Sequence, residues 1–167
     1  MRKVYCIAIL YFIGSVGFAQ NVAMVNGKAI EGKEFLWFFK KNHAGAASVS
    51  YDELMSYLNL YINFKLKVLD ARELKLDQDT GYLAEIKKYE SALQAQKRLS
   101  EKSTEYAYIM NEYKEAVLMF NVSELKIWNK APDGEAQSKL EREWIEKLRK
   151  RYPVKVNQEQ IKKMAKP

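Results

Sequence analysis

The sequence predicts a mainly α-helical domain. It should be a helical bundle around a long central helix, with a small antiparallel sheet pairing N- and C-terminal strands. Two observations carry this. First, residues Tyr51 to Leu76 sustain helical spacing over about seven turns. Leu54, Leu58, Ile62, Leu66 and Leu69 form one apolar stripe, and Tyr57, Tyr61, Phe64, Val68 and Ala71 form a second beside it. A helix with one such stripe lies on a core, and one with two lies inside it. Second, strand-like alternation occurs near the two ends of the mature chain, at Val22 to Ile30 and at Val154-Lys155-Val156.

The chain of 167 residues is long enough for one domain with a real core. It opens with Arg2 and Lys3, then an apolar run from Val4 to Phe18, then Gly17-Phe18-Ala19 with small residues at the two positions a signal peptidase reads. This is the tripartite pattern of a secretory signal peptide, with the cut expected after Ala19 or, as the alternative, Gln20. The run is shorter than the roughly 20 residues of a spanning helix, so no stable membrane span is expected after cleavage. Cys6 is the only cysteine and lies inside the leader. A mature chain without cysteine has no disulfide, no thiol nucleophile and no cysteine-ligated metal. The formal net charge of +7 falls to +5 when Arg2 and Lys3 leave with the leader. The excess is mostly lysine scattered through helices, not the clustered arginine-rich face that nucleic acid would favour.

In chain order, Val22 and Met24 alternate with their neighbours, and Asn26-Gly27 is the dipeptide of a tight hairpin turn, with Lys28-Ala29-Ile30 returning. Lys33 to Asn42 reads as a helix holding Phe35, Leu36, Trp37, Phe38 and Phe39 in a row. Two of these are expected to face the core, leaving the remainder for a neighbouring helix or a sticky surface. His43, the sole histidine, reads as a helix-end residue. Ser50 with Glu53 three residues on is a capping box for the long helix. Asp77, Asp79 and Gly81 faintly resemble a calcium loop, but Lys88 stands where a closing glutamate is needed, so Asp79 or Thr80 reads as an N-cap.

A third helix is expected from about Tyr82 to Lys102, on a stripe of Leu83, Ile86, Tyr89, Leu93 and Leu99. A fourth, capped by Ser103 or Thr104, runs on to Ala131, with Tyr106, Met110, Tyr113, Val117 and Phe120 as one stripe and Ile109, Leu118, Leu125 and Trp128 extending it. Asn121-Val122-Ser123 marks a kink; as a glycosylation sequon it is discounted because it sits inside a helical pattern. Pro132-Asp133-Gly134 breaks the chain. A fifth helix spans about Glu135 to Arg151, with Leu140, Trp144, Ile145 and Leu148 inward and cations closing its C-terminus. Pro153 stops it. Residues 158–167 read as a polar, frayed tail.

This order of elements, with VNGKAIEGKEF, YINFKLKVLDARELKLD, NEYKEAVLMF, IWNKA and WIEKLRKRYPVKVN, resembles the SurA-type periplasmic chaperones and peptidyl-prolyl isomerases. The likeness is to their chaperone core alone. In that family parvulin isomerase domains are inserted between an N-terminal helical module and a C-terminal helix and strand. Here the third helix reaches the Glu112-Tyr113-Lys114-Glu115 helix across only a few residues near Ser100 to Thr104, and a single histidine cannot supply the paired histidines of a parvulin site.

The resemblance therefore implies a signal peptide at residues 1–19, a SurA-like helical chaperone domain at residues 20–157, and a non-enzymatic function in the periplasm. No cofactor and no metal are expected. The implied function is a holdase that buries side chains of unfolded outer-membrane or secreted polypeptides in a groove between helices. Phe38, Phe39, Tyr61, Phe64, Tyr113 and Phe120 are the expected peptide- or partner-binding residues. The alternative is a structural or accessory subunit of a cell-envelope protein complex built on the same scaffold, with the same apolar surface covered by one fixed partner.

Overall fold

The structure, a computed structural model, describes residues 20–43, 49–132 and 134–165. The leader expected at residues 1–19 lies outside the described residues. A hairpin opens the fold: β1 (Asn21–Val25) and β2 (Lys28–Glu31) flank a turn in which both Asn26 (φ +48°) and Gly27 (φ +76°) are left-handed. That is the geometry for which Asn-Gly is favoured, since both central residues need positive φ. The expected C-terminal partner is present. β3 (Val154–Val156) pairs antiparallel with β1, Ala23 opposite Val156 and Val25 opposite Val154, giving the order β2-β1-β3.

Helix α1 (Gly32–Asn42) follows β2 directly, and α2 (Tyr51–Glu73) starts from the expected capping box. The Ser50 hydroxyl accepts from the Glu53 N–H at 3.2 Å, and the Glu53 carboxylate accepts from the Ser50 N–H at 2.8 Å. α2 packs against α4 (Thr104–Ser123), α5 (Gly134–Arg151), α6 (Gln158–Met164), α1 and β1. Leu54, Leu58, Ile62 and Leu66 are fully buried, as their stripe predicts. α3 (Thr80–Ala95) is capped by Asp79, whose carboxylate accepts from the Gly81 and Tyr82 N–H groups.

Several expectations are corrected. The long helix ends at Glu73, not Leu76, because Lys75 takes a left-handed conformation (φ +58°) and a 3₁₀ turn, Leu76–Gln78, follows. α3 ends at Ala95, not Lys102: Lys97 is left-handed (φ +51°), and Leu99 packs from the loop instead. Three residues of the α1 aromatic run face the core, not two. Phe35, Phe38 and Phe39 are all buried, because α1 is covered from two sides, by β1 and by α2.

The fourth helix does not continue as α-helix to Ala131. After Ser123 it passes into a π-helical turn, Glu124–Trp128. Residues 158–164, read from sequence as frayed, form α6. Asn157 caps it by accepting from the Gln160 N–H, and Ile161 is fully buried where α6 meets α2 and β1.

Candidate functional site

Two aromatic surfaces of α1 and α2 fail to close completely on α4. The result is a cleft of about 320 Å³. Phe38 and Asn42 of α1, Tyr57, Leu60, Tyr61 and Phe64 of α2, and Glu112, Glu115 and Ala116 of α4 line it. Asn42 follows Phe38 by four, Tyr57, Leu60 or Tyr61, and Phe64 follow at three or four, and Glu115 or Ala116 follow Glu112 at three or four, so each helix gives one face to the space. Along α2 the rings of Tyr57, Tyr61 and Phe64 lie nearly parallel, with centroids 6.5 and 6.0 Å apart and tilts of 9° and 13°. Phe38 meets Tyr61 at 5.3 Å. Leu60 stands beside this ladder and is 67% exposed.

Polar groups link the walls. The Tyr61 hydroxyl donates to Glu34 at 2.8 Å. Lys65 donates to Glu34 at 3.3 Å and to Glu115 at 2.5 Å, and Arg72 donates to the other Glu115 oxygen at 3.2 Å. This network ties α1, α2 and α4 together beneath the cleft, and it satisfies Glu115, which is buried. Burial, and then the neighbouring Glu34 carboxylate, push the Tyr61 hydroxyl far above the usual phenol range, so it stays a donor. Burial likewise raises Tyr57, against the hydrogen bond it accepts from Asn42. At the rim, Lys41 of α1 is ion-paired with Glu112 of α4 across the opening.

Of the six residues expected to bind a partner, the structure brings together Phe38, Tyr61 and Phe64. Phe38 and Tyr61 show little surface; Phe64 is half-buried. Phe39 points away, is 2% exposed and stacks on the His43 ring at 4.3 Å, so it is core. Tyr113 lies on the side of α4 that meets α3, stacked on Tyr89 at 3.6 Å and donating to Glu85. Phe120 is exposed, edge-on to Trp128 at 4.9 Å, one turn beyond the cleft residue Ala116 on α4. α4 is covered on different sides by α2 and α3, so Tyr113 turns to α3 while Glu112, Glu115 and Ala116 face the cleft. Sequence reasoning missed Asn42, Leu60, Glu112, Glu115 and Ala116 and assigned Tyr57 to the core. The available signal was phase, since Leu60 sits between Tyr57 and Phe64 on the same turn pair.

A second cleft, about 270 Å³, lies between the π-turn and α5, and is lined by Lys126, Lys130, Glu143, Trp144 and Lys147 with Ile127 and Leu140. Its floor is a buried cross-link: the Trp144 indole N–H donates to Asp70 at 2.9 Å, and Lys126 pairs with the same carboxylate oxygen at 3.3 Å. Among the described residues no group of three or more His, Cys, Asp or Glu is placed to hold a metal ion. Among the same residues no helix is long and apolar enough to cross a membrane. No protein-family model matches the chain, and no curated protein or solved structure does either.

Proposed function

We propose that this chain is a periplasmic holdase that binds unfolded outer-membrane or secreted polypeptides in the cleft between α1, α2 and α4, without isomerase activity. The observation that carries the reading is an open cleft walled by an aromatic ladder, with Leu60 two-thirds exposed beside it. Its volume is at the lower end of the roughly 300–1,000 Å³ range of ligand pockets, enough to take individual client side chains and too little for a folded partner. Aromatic walls bind such side chains with little loss of rotamer freedom. The resemblance of the sequence to the SurA-type chaperone core supports the same reading.

The test is aggregation of a denatured outer-membrane protein, followed by light scattering. Near-stoichiometric mature protein is expected to slow it, and Leu60→Ser to weaken that effect at least severalfold. Because Leu60 is already in water, the substitution should leave stability within about 0.5 kcal/mol. No suppression at excess protein would overturn the reading.

A second reading, an accessory subunit of a cell-envelope complex, is favoured by one separate feature. Phe120, Leu125 and Trp128 are exposed together on the end of α4 and the π-turn. Under that reading one partner co-purifies in fixed ratio and covers this patch.

A further inference from the structure

We infer that the cleft selects client segments in which an aromatic or aliphatic side chain is flanked by arginine or lysine, and that Glu112 is the residue that reads the flanking cation. The inference rests on the proposed holdase function and names the client class of that same cleft.

Every charged residue lining the cleft is a carboxylate, Glu112 or Glu115. The two differ in availability. Glu115 has a side chain only 7% exposed and is held from behind by both Lys65 and Arg72. The Glu112 side chain is 28% exposed, and among the described residues its ion-pair partner is Lys41, itself 48% exposed. An ion pair so open to water contributes little to stability and is readily exchanged. A client cation arriving beside an apolar side chain seated on the ladder can therefore replace Lys41 on Glu112 without leaving a buried charge unpaired. Lys41 does not lose its environment on release, since its ammonium also lies 5.4 Å from the Trp37 ring. Arginine should outdo lysine here, because its planar fork meets a carboxylate through two parallel hydrogen bonds.

The global charge predicts the opposite. A chain with formal net charge +7, and +5 without Arg2 and Lys3, attracts acidic peptides through its long-range field. A preference for basic flanks comes from local groups, the carboxylates or the faces of the aromatic ladder, and Glu112→Gln separates these two sources.

The experiment measures binding of labelled, otherwise neutral peptides with one central Leu-Phe pair, flanked by two Arg, two Gln or two Asp, by fluorescence anisotropy. The mature protein is expected to bind the Arg-flanked peptide on the order of fivefold more tightly than the Asp-flanked one. Glu112→Gln should collapse that ratio towards one. Lys41→Ala should raise it, since the internal competitor is gone. High salt should shrink it. Equal or tighter binding of the Asp-flanked peptide overturns the inference and leaves the holdase reading standing, as does a ratio that survives Glu112→Gln. Failure of all three peptides to bind overturns the holdase reading and this inference with it. Circular dichroism of both variants checks that a changed ratio is not lost folding.

Discussion

Asp70 shows how one buried charge is made tolerable. It is 4% exposed and sits on α2, where the apolar stripes would place a hydrophobic residue. Two donors come to it from elsewhere in the fold: the Trp144 indole N–H from α5 and the Lys126 ammonium from the π-turn. A buried carboxylate with such partners roughly offsets its desolvation, but removing it strands the donors. Asp70→Ala is expected to cost about 2–4 kcal/mol, with the buried indole N–H left unpaired. Asp70→Asn keeps an acceptor oxygen and should recover part of that loss. Urea midpoints of the two variants check this; equal costs would mean the hydrogen bond contributes nothing beyond packing. Glu115 follows the same logic with Lys65 and Arg72, and in addition faces the cleft.

Among the elements, the π-turn is the decisive departure from regular helix. In α-helical phase Leu125 follows Leu118 by seven positions and should be buried like it. The wider turn at Glu124–Trp128 shifts the phase by a residue. Ile127 takes the inward place at 3% exposure, while Leu125 and Trp128 are turned out at 48% and 40%. The same turn delivers Lys126 to Asp70. Two substitutions therefore separate the phases. Ile127→Ala is expected to cost about 2–4 kcal/mol by leaving a cavity, and Leu125→Ser to stay within about 0.5 kcal/mol. Thermal or urea unfolding of both variants decides it, and a regular helix would reverse the order.

At the scale of the whole molecule, the two ends of the described chain close the fold. β3 extends the sheet begun by β1, the Asn157 N–H donates to the Val22 carbonyl at 2.9 Å, and α6 seats Ile161 against α2 and β1. The charged surface of α6 made it read as tail, yet one fully buried isoleucine anchors it. Truncation after Asn157 is expected to lower the Tm by roughly 5–15 °C, from the loss of about 2–4 kcal/mol of buried contact in a chain of this size. A solvated tail would leave the Tm where it was, so calorimetry of the truncated protein distinguishes the two.

What the sequence by itself determined is what neighbouring residues decide among themselves. The Asn26-Gly27 turn, the Ser50–Glu53 capping box and the Leu54–Leu66 stripe are short-range matters of dihedral preference, hydrogen bonding and periodicity, and the mainly α fold with its small sheet follows from them; the α3 and α4 caps were narrowed to neighbouring pairs, of which the structure takes Asp79 and Ser103. Only the tertiary structure decided which apolar residues remain accessible. Phe39 and Phe64 are equally hydrophobic, but one is sealed beneath His43 and the other borders a cleft. The same holds for the phase of Leu125, the docking of Ile161 and the arrival of Glu112 beside the aromatic ladder. Each depends on the distance at which another helix stops, and that distance is set by packing among residues far apart in the chain.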